Sequence, residues 1–226
     1  MYRAVIFDVD GTLVDSNDAH AWAWIQALAE GGRHVDFARV RPLIGKGGDK
    51  LLPELAGISI ESPEGQAIGE ARRRIFQREF IPRINATRGA QQLLEWMRDE
   101  RLTLVVASSA ETSEVRDLLR IAGAVRFFDA TTSSDEADRS KPDPDIVHAA
   151  LERTGCRASE AIMIGDTPYD IEAADRAGIG TIALRCGGWW SDGDLSRAVA
   201  IYADPADLLN HYDVSPFKRP LPVRSA

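Results

Sequence analysis

The chain has 226 residues, 44% of them hydrophobic and 27% charged, with a formal net charge of −8 at pH 7. That length suits one large domain or one domain carrying an insertion, and the composition is ordinary for a soluble globular protein and too polar for a membrane one. No apolar run reaches the ~18 residues needed to span a bilayer, and an acidic chain disfavours nonspecific binding to nucleic acid while still permitting a local basic pocket for one small anion.

The opening residues, Met-Tyr-Arg-Ala-Val-Ile-Phe-Asp, hold too short an apolar stretch for a secretory signal and lead straight into acids, so a cytoplasmic location is expected. Within them Ala4 to Phe7 read as a buried strand. The strand ends at Asp8-Val9-Asp10-Gly11, placing two carboxylates two positions apart where glycine lets the chain turn. Two acids so close repel when both are ionised, so they require a cation, a shared proton or water, and a divalent metal fits best. The plainer alternative is an ordinary Asp-Gly turn. A calcium-binding loop is excluded, because its template needs glycine at the sixth position and Gly11 is the fourth.

Residues 17 to about 86 carry no strand pattern and read as several helices inserted between the first strand and the second. The first, Asp18 to about Glu30, places Trp22, Ile25, Leu28 and Ala29 on one side and stops at Gly31-Gly32. His20 on it is either a substrate contact or a surface or capping residue. Gly45-Lys46-Gly47-Gly48 is either a loop that closes over an anionic substrate through Lys46, with Arg41 assisting, or a plain helix connection with both cations solvated. The last helix, roughly Pro63 to Phe80, carries Arg72-Arg73-Arg74, a charge run that reads as a solvated face in preference to an anion site.

After the insertion, strands and helices alternate. Apolar runs at Leu102 to Ala107, Ile162 to Ile164 and Thr181 to Leu184 read as buried parallel strands, with a weaker one at Phe127 to Ala130. Ala90-Leu93-Leu94-Met97 and Val115-Leu118-Leu119-Ala122 have helical spacing. The pattern predicts an α/β fold with a doubly wound, Rossmann-like parallel sheet built from residues 1–16 and 87–213, an inserted helical domain at 17–86, and a mobile proline-rich tail at 214–226. Cys156 and Cys186 have no metal-ligand spacing and receive no role. Trp189-Trp190 either lines the entrance or packs beneath its loop, and packing is expected.

Three further polar elements follow or end predicted strands: Ser108-Ser109, Lys141 ahead of Pro142, and Gly165-Asp166-Thr167-Pro168-Tyr169-Asp170. Each has a structural explanation of its own, as helix cap, surface lysine or first-turn acid. In open parallel sheets, however, ligands bind beyond the carboxyl ends of the strands, and all of these elements would converge there with Asp8 and Asp10.

In these motifs the chain resembles the haloacid dehalogenase superfamily, in its phosphoglycolate phosphatase-like branch with a helical cap after the first strand. Phe7-Asp8-Val9-Asp10-Gly11-Thr12 matches the first family motif, Ser108 the second, Lys141 the third, and Gly165 to Asp170 the fourth. The resemblance implies hydrolysis of a small phosphomonoester through an aspartyl phosphate. Asp8 would be the nucleophile and Asp10 the general acid and base. Mg²⁺ would be held by Asp8, Asp166 and the main-chain carbonyl of Asp10, with Asp170 orienting its waters. Lys141 would balance charge, Ser108 would hold a phosphoryl oxygen, and Ser109, His20, Arg41 and Lys46 would contact substrate. The expected partner is a small phosphorylated metabolite, with no nucleic acid and no membrane. Asp10 argues against a dehalogenase, which has no leaving alkoxide to protonate. A sugar-phosphate mutase is the nearest alternative, although Gly48 stands where the compared mutases carry arginine. A noncatalytic phosphate sensor would not need Asp10 beside Asp8.

Overall fold

The computed structural model describes residues 1–218. Six strands form one parallel sheet: β1 (Ala4–Phe7), β2 (Thr103–Ala107), β3 (Ala130–Thr132), β4 (Ala161–Gly165), β5 (Gly180–Leu184) and β6 (Ala200–Tyr202), in the order β3-β2-β1-β4-β5-β6. The central strand β1 is flanked by β2 and β4, with Ala4 opposite both Thr103 and Ala161. Because successive side chains point to opposite faces, Val5 and Phe7 enter one apolar core while Ala4 and Ile6 enter another. Burial on both faces is why β1 reads as an unbroken apolar run.

The insertion between β1 and β2 holds α1 (Asn17–Glu30), α2 (Phe37–Val40), α3 (Gly48–Ala56) and α4 (Pro63–Ile75), the last running on through one wider turn at Phe76–Phe80. Ser62 caps α4 by accepting from the Gly65 N–H, and Pro63 follows at a position where no N–H is needed. The insertion leaves and rejoins the core at one place. There the Asp15 N–H donates to the Asn85 carbonyl at 2.9 Å, and Thr87 Oγ1 donates to the Thr12 carbonyl at 2.7 Å.

The remaining helices cover the sheet. Buried residues of α5 (Ala90–Asp99) and α6 (Thr112–Ile121) join the core of Val5 and Phe7, whereas those of α7 (Asp145–Thr154) and Ala173 and Ala174 of α8 (Pro168–Arg176) join that of Ala4 and Ile6. A short α9 (Pro205–Asn210) packs on α5. No helix among the described residues is long and apolar enough to cross a membrane.

Four details depart from expectation. The strand expected at Phe127 to Ala130 begins at Ala130; Phe127 lies in a helical turn, and Phe128 packs edge-on against Phe7 at 5.7 Å, which explains the apolar signal before it. Strand β6 has no strand signal in the sequence because it is a three-residue, partly exposed edge strand. On α1 the buried face is Ala21, Trp24 and Leu28, whereas Trp22 is 46% exposed and rests on Phe37 of α2 at 5.0 Å. Finally, the tail expected from Val214 is not free at its start: Ser215 and Phe217 are buried, and Phe217 stacks on Tyr212 at 5.1 Å. The rest of that tail, residues 219–226, lies outside the described residues.

Candidate active site

The chain order of the sheet reverses between β1 and β4, the place where open α/β sheets bind ligands. Asp8 continues the ladder one residue past β1, its N–H donating to the Ile164 carbonyl at 2.9 Å. The turn that follows requires glycine twice over. Gly11 has φ +72°, and a side chain there would overlap both Asn17 and the Asp166 carboxylate. Beyond β4, Thr167 caps α8 by accepting from the Asp170 N–H at 3.2 Å, while Asp170 Oδ2 accepts from the Thr167 hydroxyl at 2.7 Å and its N–H at 3.0 Å. This capping box fixes Asp170 beneath Asp166.

Asp8, Asp166 and Asp170 are buried, and one oxygen of each lies within 4.8 Å of the others. Lys141, 1% exposed, reaches between two of them, donating to Asp8 at 2.6 Å and ion-paired with Asp170 at 2.8 Å. Asp166 accepts from Asn17 Nδ2 at 2.8 Å. One ammonium cannot balance three buried carboxylates. Burial pushes Asp8 up to about 7 even against the pull of Lys141, with Asp170 and Asp10 repelling it further. Asp166 is raised by burial and then by Asp170 and Asp8. Burial works to lower the Lys141 pKa, but Asp170 and Asp8 outweigh it and the ammonium is held charged. An all-oxygen donor set with unbalanced negative charge fits a hard divalent cation such as Mg²⁺.

Asp10 faces a different set of partners. Its carboxylate accepts from Ser16 Oγ and from His20 Nε2, the latter at 2.6 Å, so it lies outside the three-acid group. A metal-ligand role for its side chain, as opposed to its main-chain carbonyl, has no support in this arrangement. His20 is buried and stacked on Phe76 with ring centroids 4.1 Å apart, and its Nδ1 contacts the Arg72 guanidinium. Arginine can only donate, so Nδ1 accepts and Nε2 carries the proton given to Asp10. Arg72 is held in turn by Glu114 of α6 at 2.6 Å. Burial alone would raise the Asp10 pKa, but His20, with Ser16 and Arg72, lowers it.

A cavity of about 550 Å³ opens above Asp8 and Asp10, between the sheet edge and the inserted helices. Ser109 lines it, and its Oγ has no hydrogen-bond partner. Ser108 is buried, its Oγ accepting from the Ala110 N–H at 3.1 Å. Lys46 reaches the wall, paired with Glu54 and 4.9 Å above the Tyr169 ring.

Arg41 departs from the substrate contact expected of it. It is not among the cavity-lining residues; it is buried, donates to Asp18 at 2.6 Å and to the Gly187 carbonyl, and lies 5.7 Å from the Trp189 ring. The basic run at 72–74 also divides. Arg74 is exposed beside Glu30, as a solvated face requires, but Arg72 turns inward because the end of α4 leans over the cavity. Trp190 packs edge-on against Tyr169 at 5.9 Å, and the Tyr169 hydroxyl donates to the Pro42 carbonyl at 2.6 Å, tying core to insertion. Asn17, Glu114 and Gly187 carry no distinctive sequence signal, and Arg72 is legible only as part of a basic run. Their surroundings, a helix start, an amphipathic helix, a double glycine and a charge run, are each common without a site.

Comparison with known proteins gives the family. Residues 5–184 match the family described as haloacid dehalogenase-like hydrolase. A phosphoglycolate phosphatase of Pseudomonas syringae pv. syringae is 29% identical over 190 residues, covering 82% of this chain and 70% of that protein. A crystal structure of a hydrolase from Pseudomonas syringae superposes with a TM-score of 0.87 at 31% identity, covering 93% and 98% of the two chains. A putative beta-phosphoglucomutase from Bacteroides vulgatus shares the fold, with a TM-score of 0.83 at 24% identity over 96% and 91%. With most of the chain matched, and Asp8, Lys141, Asp166 and Asp170 gathered at the switch point of the sheet, this protein belongs to the haloacid dehalogenase-like hydrolase family.

Proposed function

We propose that this chain is a Mg²⁺-dependent phosphatase acting on a small phosphomonoester. The observation that carries the reading is the juxtaposition of Asp8, held by Lys141 at the cavity floor, with Asp10 two residues on and held by His20. Asp8 and Asp166, with the main-chain carbonyl of Asp10 and support from Asp170, would hold Mg²⁺. When bound, the ion offsets the charge between the nucleophile and the phosphoryl oxygens.

Asp8 Oδ attacks phosphorus, the P–O bond to the alcohol breaks, and the leaving oxygen takes a proton from Asp10. Water then attacks the aspartyl phosphate and gives a proton to Asp10. The P–O bond to Asp8 breaks, freeing phosphate and restoring the carboxylate. At rest Asp10 is the ionised partner of His20, the form that suits the base step. An arriving phosphate dianion raises its pKa by repulsion and so loads the proton for the acid step. Lys141 steadies the charge on Asp8, and Ser108 and Ser109 with their loop N–H groups receive a phosphoryl oxygen.

A mutase would have to hold a second phosphate against the cap loop. Gly48, the residue at the place where mutases carry arginine, offers no side chain and lies under Trp24. Hydrolysis is therefore the preferred outcome. Purified protein should release phosphate from p-nitrophenyl phosphate or acetyl phosphate with Mg²⁺ and not with EDTA. Ligand binding without turnover would instead favour a phosphate sensor.

A further inference from the structure

Resting on the phosphatase reading above, we propose that the alcohol released from this cavity presents hydroxyls and a positively charged nitrogen to acids on the cavity wall, and no second anionic group. Three long cationic side chains reach the cavity wall, Lys46, Arg72 and Arg73. Each is already in an ion pair, with Glu54, Glu114 and Glu111 respectively. A second phosphate or carboxylate on the substrate would have to displace one of these partners. For Arg72 that would strand Glu114, which is 3% exposed, and a buried charge left without its partner is strongly unfavourable.

Acids on the same wall are not matched in this way. Asp49, Glu70 and Asp138 line the cavity from α3, α4 and the loop after β3, and none forms an ion pair among the described residues. Asp49 accepts only from Ser140. A second feature points to a ligand donor: the nearly fully buried Glu114 lines the cavity with only Oε2 engaged, by Arg72, and its Oε1 has no hydrogen-bond partner.

The lining also has an apolar part, formed by Trp24, Ile44 and Ile60. Gly48 and Gly69 keep this part wide, since a Cβ at Gly48 would stand 3.3 Å from Trp24 and one at Gly69 3.2 Å from Ile60. A volume of about 550 Å³ has room for a phosphate and a ring-sized group. A carbon skeleton carrying hydroxyl and ammonium donors matches a lining that combines apolar side chains with carboxylates outside any ion pair.

The test compares three esters of one six-carbon skeleton whose leaving alcohol is cationic, neutral or anionic: glucosamine 6-phosphate, glucose 6-phosphate and 6-phosphogluconate. Each is measured for kcat/KM and for inhibition of p-nitrophenyl phosphate hydrolysis, so that an ester bound but slowly cleaved still counts. The expected order is cationic above neutral above anionic. The two extremes should differ by roughly tenfold, as one or two part-exposed charge contacts give. The ratio should fall towards one at high salt and in the double variant Glu70→Gln, Asp138→Asn. A flat or reversed order, or a double variant that keeps the ratio, overturns the leaving-group assignment. If p-nitrophenyl phosphate is cleaved in those cases, the phosphatase reading survives alone; if no ester is hydrolysed in Mg²⁺, both fall.

Discussion

Removing divalent metal should make the folded protein less stable as pH rises, the reverse of ordinary acid denaturation. Asp8 has a folded pKa of about 7 against its ordinary 3.8. Between those values the folded chain holds a proton that the unfolded chain has lost. The stability tied to Asp8 is therefore complete below about pH 4 and gone above about pH 7. At 1.36 kcal/mol per pKa unit this is about 4 kcal/mol, and Asp166, raised by the same burial, acts in the same direction. With urea slopes of ~1–3 kcal/mol/M, the midpoint in EDTA should drop by roughly 1–2 M or more between pH 4.5 and pH 8. Mg²⁺ should restore it at pH 8 and do little at pH 4.5, because it binds the ionised cluster. Asp8→Asn should remove most of the slope, since it deletes one titrating acid and one repeller of Asp166. A midpoint in EDTA that does not fall with pH, or that falls equally in Asp8→Asn, would refute the account of an unbalanced acidic cluster.

Other consequences are open to direct measurement. Asp8→Asn should abolish phosphate release while circular dichroism shows an unchanged fold. Asp10→Asn should cost ~10²–10⁴-fold with alkyl phosphates and much less with p-nitrophenyl phosphate, whose leaving group needs no proton. His20→Gln should raise the lower pKa of the pH–rate profile, because His20 is the largest influence holding Asp10 down, and an unchanged profile would remove His20 from that role. Gly187→Ala would drive a Cβ into the Asp166 carboxylate, so half-saturating Mg²⁺ should rise ~10–100-fold in activity titrations, with folding retained.

The core was legible in the sequence because its strands are buried on both faces, so that Val5, Phe7, Val105 and Met163 report position through hydrophobicity alone. The acids at the ends of β1 and β4 were legible for the converse reason, being polar where an apolar run stops. The inserted helices carry less information. Trp22 and Trp24 are equally apolar, yet only Trp24 faces inward, a choice set by the residues of α4 and by the cavity rather than by spacing on α1. Arg41 and Arg72 illustrate the same limit. Both look like solvated or anion-seeking cations in one dimension, and their partners, Gly187 and Glu114, are 146 and 42 residues away.

Those long-range pairs bear on how Asp10 is controlled. Asp10 and Glu114 belong to the sheet domain, whereas His20 and Arg72 lie on the insertion, and in the one hydrogen-bonded chain Asp10-His20-Arg72-Glu114 the two insertion residues stand between the two of the sheet domain. A displacement of the insertion that parts Arg72 from Glu114 carries His20 from Asp10 as well. Asp10 then loses the group that most strongly holds its pKa down and keeps only Ser16. The protonation of the proposed acid and base is thus tied to the seating of the insertion, although neither of its residues in the chain belongs to the acidic cluster. Arg72→Met should separate this coupling from metal binding: the pH–rate profile should shift while half-saturating Mg²⁺ stays near the wild-type value. A variant that moves both together would place Arg72 in the metal site instead.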